Sequence, residues 1–166
     1  MSSEIETLTT GLPTKAIVQH ADGAPVASLS PTDATRFLFS GVAGQPDFWE
    51  SRMGRGDSAP LHKHPWATFE FIIEGSITYL IDGEEFVAGA GDFVYTPPSA
   101  VHTFVVESPT ARLVGFNHPA PKFAELQMGA VPLFKQPGGP DMPKLLELAT
   151  ASGIALMGPP LEPRTN

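Results

Sequence analysis

Five histidines, His20, His62, His64, His102 and His118, are the residues of this chain best suited to chemistry at neutral pH. Neutral imidazole is the commonest metal ligand in proteins. His62 and His64 stand two apart in Pro60-Leu61-His62-Lys63-His64. In an extended segment alternate side chains share a face, so both imidazoles can reach one metal ion. His102 follows Pro97-Pro98-Ser99-Ala100 and precedes Thr103-Phe104-Val105-Val106, which puts it at the start of a strand behind a sharp turn. An antiparallel neighbour can bring it alongside the pair. By itself His-x-His fits an exposed strand with two incidental histidines equally well, so the surroundings decide. His20 and His118 have no such context and read as surface residues.

The 166 residues suit one domain, large enough to bury a core without staples. With no cysteine, a disulfide framework, thiolate zinc, cysteine-held iron-sulfur clusters and a cysteine nucleophile are all excluded. Any metal must sit on histidine, carboxylate or water. Ten basic against eighteen acidic residues disfavour a phosphate-binding surface, so nucleic acid is not an expected partner. Residues 1–10 lack a basic stretch ahead of an apolar run, and no stretch of about 18 apolar residues occurs. The expectation is a soluble cytoplasmic protein with no membrane partner.

Residues 1–14 read as a flexible lead-in, residues 15–118 as an all-β barrel, and residues 119–166 as a helical segment with a Pro-rich tail packed on it. Short runs rich in Val, Ile, Phe, Tyr and Thr are expected as strands: Ala16 to Val18, Arg36 to Phe39, Phe48 to Met53, Thr68 to Ile73, Ile77 to Ile81, Glu85 to Val87, Phe93 to Tyr95, Thr103 to Val106 and Arg112 to Phe116. Asp82-Gly83 between two runs predicts a tight hairpin, because both central positions need positive φ. Such spacing suggests a closed sandwich or barrel. Lys122 to Met128 is helix-compatible and ends at Gly129, while Asp141 should cap a helix over Lys144 to Ser152, with Pro143 in its first turn. Gly158 to Asn166 reads as tail.

With the histidines placed, the sequence resembles the cupin superfamily. Its first motif is matched by Gly56, His62, His64 and Gly75, and its second by Gly91, Pro97 and His102. The resemblance covers about residues 36–117. It implies a double-stranded β-helix, or jelly roll, with a metal in its mouth. Ser99 and Val106 depart from the usual Gly and Asn of the second motif. Thr68 stands where the family has a ligand Glu, and the nearby acid is Glu70.

Thr68 and Glu70 share strand parity, with Glu70 one pleat step (about 6.6 Å) further along. A local bulge, or a longer loop after Pro65, would hand the metal to Glu70; otherwise the site has three histidines, and Glu70 is a base behind them. A pattern reader would turn Phe69, Phe71 and Ile73 inward and Glu70 to solvent. The motif parity implies the reverse, and an apolar outer face of that kind predicts a homodimer.

The ligand set expected is therefore His62, His64 and His102, with Glu70 as ligand or catalytic base. It suits one divalent transition metal (Fe, Mn, Ni, Co or Zn) without choosing among them. Phe71 to Tyr79, Gly91 to Pro97 and the tail Pro143 to Pro160 resemble the quercetin 2,3-dioxygenase-like cupins. That resemblance implies a metal-dependent dioxygenase acting on a small aromatic or enolisable hydroxy-ketone. A non-redox isomerase or lyase, or a ligand-binding cupin without turnover, are the alternatives. Trp66 could gate the pocket or merely pack in its loop; Tyr79, Tyr95 and Phe104 are expected in the core. Glu50 and Arg52 share a strand and read as a solvated pair.

Overall fold

The computed structural model describes residues 21–40, 44–119, 121 and 123–165. The expected strand Ala16 to Val18 and His20 lie outside them. Eleven strands form among the described residues: β1 Val26–Ala27, β2 Ala34–Phe39, β3 Phe48–Gly54, β4 Pro60–Lys63, β5 Ala67–Glu74, β6 Ser76–Ile81, β7 Glu84–Gly89, β8 Phe93–Thr96, β9 His102–Val106, β10 Thr110–His118 and β11 Ala155–Pro160. Two helices, α1 Phe123–Phe134 and α2 Met142–Ala151, stand between β10 and β11.

The strands make two antiparallel sheets, ordered β1-β2-β3-β10-β5-β8 and β11-β4-β9-β6-β7. The chain crosses repeatedly from one sheet to the other, as in a jelly roll. Alternation drives the packing: along β10 the inward Ala111, Leu113, Gly115 and Asn117 are buried, and the residues between them are less so. Phe37, Trp49, Ile72, Ile77, Val106 and Leu113 join in the apolar core. The hairpin at Asp82-Gly83 forms as expected, with φ of 49° and 84° and Ile81 paired to Glu84.

Gly75 turns β5 into β6 at φ 83°, and a Cβ there would sit 2.2 Å from the Thr110 carbonyl oxygen and 2.9 Å from Ala111 Cα. The clash is with backbone, which cannot swing aside. Gly75→Ala should therefore cost about 3 kcal/mol or more, combining left-handed strain with overpacking. The check is a urea midpoint that falls without a change in slope.

Two expectations at the C-terminal end need correction. α1 does not stop at Gly129 but runs on through Pro132 to Phe134. Gly129 is a contact point, where a Cβ would lie 3.4 Å from Leu148 Cδ2 on α2, and Ala130 is buried beyond it. Tertiary packing outweighs the propensity penalty of one glycine and one late proline. The first three residues of the expected tail, Gly158 to Pro160, belong instead to a strand over residues 155–160, while 161–165 have no regular structure: Ala155 pairs with Lys63 and Leu156 with His62, so β11 covers the outer edge of β4. α2 starts as predicted, with the Asp141 carboxylate accepting from the Lys144 backbone N–H at 3.2 Å.

Candidate metal centre

β4 and β9 are antiparallel neighbours in register at His62 and His102, and His64 follows the end of β4. One ligand-capable atom from each of His62, His64 and His102 lies within 4.8 Å of the others. Ring centroids are 4.2 Å apart for His62 and His102, 4.6 Å for His64 and His102, and 5.5 Å for His62 and His64.

Each ring is oriented by backbone. Nδ1 of His62 meets the Pro60 carbonyl at 2.7 Å, that of His64 the Trp66 carbonyl at 2.9 Å, and that of His102 the Ala100 carbonyl at 2.9 Å. A carbonyl only accepts, so each Nδ1 carries the hydrogen and each Nε2 is left with its lone pair. Burial, with the neighbouring imidazoles adding to it, lowers the His62 pKa to about 4 and that of His64 to about 3. His102 is lowered by burial as well. The three rings are thus neutral at physiological pH, as metal ligation requires. The donor set fits a divalent transition metal, and three ligands leave coordination positions open, as catalytic sites do.

The triad lines a cavity of about 390 Å³ that reaches into the barrel. Glu70 lines it too, so the parity implied by the motifs holds, and Phe71 faces out at 44% exposure. Direct ligation by Glu70 is not what the geometry gives: the metal-capable cluster consists of the three histidines, without it. The bulge that would have handed it the metal is missing, because Thr68 to Phe71 pair with Thr96 to Phe93 in unbroken register. Thr68, at the family's Glu position, instead donates to Asn117 Oδ1 at 2.8 Å.

Deep burial raises the Glu70 pKa to about 7, although the neighbouring Tyr79 hydroxyl pulls the other way. Tyr79 is itself pushed up by burial and by the Glu70 charge. Its buried hydroxyl faces the Glu70 carboxyl, although the contact falls short of good hydrogen-bond geometry.

Trp66 is more than loop packing. It is 6% exposed, stacks on the His64 ring at 4.2 Å and 4°, and lines the cavity. Its place directly after His-x-His-Pro was the available signal. Asn117, buried against Thr68, had none, being distant in sequence from every motif. Phe104 and Tyr79 line the cavity, whereas Tyr95, expected in the core, points outward at 48% exposure, because β8 carries its odd-numbered residues on the outer face. Glu50 also lies on the outside of its sheet, nearly buried beneath Arg36, Arg52 and Arg112, so the pair expected with Arg52 is a shielded four-residue cluster. His118 is exposed.

Residues 49–115 match the Cupin domain family. They form a cupin domain. The stretch holds all three histidines and Glu70 and runs from β3 into β10. Over 66 residues the chain is 34% identical to quercetin 2,3-dioxygenase of Bacillus subtilis (strain 168), which is 39% of this chain and 19% of that protein. Over 54 residues it is 39% identical to gentisate 1,2 dioxygenase 1 of Aquipseudomonas alcaligenes, 32% of this chain and 16% of the relative. The chain thus spans less than a fifth of either relative's length. An RmlC-like cupin from Shewanella frigidimarina shares the fold, with a TM-score of 0.56, 19% identity, and coverage of 64% of this chain and 93% of that one. Among the described residues, no helix of the chain is long and apolar enough to cross a membrane.

Proposed function

We propose that this cupin is a metal-dependent dioxygenase whose substrate is an aromatic or enolisable hydroxy-ketone. The observation that carries the reading is the juxtaposition, in one largely apolar cavity, of three oriented neutral imidazoles and a carboxyl raised to about 7. The partial likeness to two dioxygenases supports it.

When bound, the metal supplies Lewis-acid activation of a chelating oxygen and a meeting point for substrate and O2. His62, His64 and His102 would hold it. Glu70 accepts the proton of the substrate hydroxyl, for which a pKa near neutrality is the suitable range. The Tyr79 hydroxyl beside Glu70 steadies that carboxyl, and Trp66 with Phe104 excludes water around the substrate.

The test is oxygen uptake by protein loaded separately with Fe(II), Mn(II), Co(II), Ni(II) or Zn(II), with a flavonol or a β-diketone as substrate. Uptake that depends on the metal is expected. Turnover that proceeds without oxygen on Zn(II) would instead select a non-redox isomerase or lyase, and binding without turnover a ligand-binding cupin.

We also propose that a second copy covers the outer face of the larger sheet. Phe48, Phe71, Phe93 and Tyr95 are 44%, 44%, 61% and 48% exposed there, and Phe48, Phe116 and Phe69 form a stacked row on the same face. Four half-exposed rings amount to about 400 Å² at about 200 Å² each. That approaches the apolar share, about 450 to 520 Å², of a standard interface of about 800 Å² per partner. Sedimentation should give twice the chain mass of 17.6 kDa, and Phe93→Lys should return it to 17.6 kDa. A monomer before substitution would reject the dimer.

A further inference from the structure

The cupin match ends at residue 115, yet one wall of the cavity is built beyond it. Phe123, Leu126 and Ala130 of α1 and Leu145 and Leu148 of α2 line the space that also holds the histidines and Glu70. Among the described residues, Gln127 is the only polar side chain these helices bring to it.

The helix pair is anchored on the barrel at two places. The Phe123 ring packs on Trp49 at 4.8 Å and on Phe37 at 6.0 Å. Just past α2, Gly153 lies so close to Trp66 that a Cβ would be 3.6 Å from the ring. Between these anchors the apolar side chains do not close up. Leu126, Leu145 and Leu148 stay only half-buried although they face the cavity. A core of leucines normally packs to crystal-like density, and a void of this size forfeits those contacts unless something fills it. At about 30 Å³ per water-sized group, 390 Å³ holds about a dozen groups, more than a chelating head alone needs.

We propose that α1 and α2 are the specificity element of this cupin: the substrate carries an apolar body of about six to eight carbons beyond its chelating oxygens, and that body lies between the helices and the barrel. The chelating head rests on the function proposed above; the apolar body does not. It follows that substrate choice is set largely by residues outside the family-matched segment.

The experiment uses alkane-2,4-diones from pentane-2,4-dione to dodecane-2,4-dione, titrated calorimetrically into Zn(II)-loaded protein, where no turnover is needed. The dissociation constant should fall about fourfold per added methylene over the first six or so, then level off. Ala130→Trp, which fills the space beneath α1, should cancel that gain while pentane-2,4-dione binding and zinc content stay unchanged. Since a bulky residue at a buried position can disturb folding, Leu145→Gln serves as a second variant and should weaken the long diones selectively. A dissociation constant that does not depend on chain length overturns the inference, as does a full chain-length gain in both variants. Failure of every dione to bind would count against the chelating head. The apolar body is then read from 1-alkanols of the same lengths added to metal-free protein, with Trp49 and Trp66 fluorescence as the signal. A chain-length gain there supports the inference, and a flat response overturns it.

Discussion

His102→Ala is expected to empty the metal centre while the barrel stays folded. His102 sits opposite His62 across the β4–β9 pair, and it is the one ligand that does not come from the His-x-His segment. Without it two imidazoles remain, and two donors hold a divalent ion far less tightly than three. Loss of a supporting partner behind a ligand already costs about 10- to 100-fold in affinity, so loss of the ligand itself should cost at least about 100-fold. Bound metal should drop from about one ion per chain to under about a tenth after dialysis, and oxygen uptake should fall with it by at least about 100-fold. The strand itself survives, because the β9 ladder to β6 is made by backbone at Thr103, Phe104, Val105 and Val106. Elemental analysis beside a thermal melt separates the two effects. Full metal occupancy in the folded variant would mean that the three rings do not share an ion.

Glu70→Gln should give the second large effect, and of a different kind. The carboxyl lines the cavity outside the histidine cluster, so metal content should be unchanged. Its loss as a base should lower kcat by about 10²- to 10⁴-fold with little change in KM. Burial holds the Glu70 pKa up at about 7, and only the ionised form accepts a proton. Activity of the unmodified protein should therefore rise with pH along a limb centred at or below about 7, since a bound cation favours the carboxylate. The Glu70→Gln variant, whose amide does not titrate, should lack that limb. A loss of metal in Glu70→Gln would instead identify Glu70 as a ligand.

The same shift has a consequence for stability. Between the ordinary value of 4.5 and about 7, the folded metal-free chain holds a proton on Glu70 that the unfolded chain has released. The associated stability is complete below 4.5 and is lost as the pH rises through about 7. Metal-free Glu70→Gln should accordingly lose less stability than the unmodified protein on going from about pH 5 to about pH 8.

The apolar outer face shows why motif and pattern had to be read together. Phe69 and Phe71 look like core residues because hydrophobic alternation alone assigns apolar side chains to the interior. They nevertheless face out, and Thr68 and Glu70 of the same strand line the cavity. A strand's parity is a single choice, and the spacing from His64 to Gly75 settles it more firmly than hydrophobicity does.

What the chain determined by itself is local. Period-two alternation made the strands, Asp82-Gly83 the hairpin, Asp141 the helix start, and His-x-His one shared face, because each depends on residues only a few positions apart. The tertiary structure alone decided what depends on distant partners. It kept Glu70 out of the ligand cluster because β5 runs without a bulge against β8. It paired Thr68 with Asn117, drew residues 155–160 into the smaller sheet, and placed two helices across the cavity. These outcomes rest on register and packing between segments up to about a hundred residues apart, and no short-range pattern in the chain encodes that geometry.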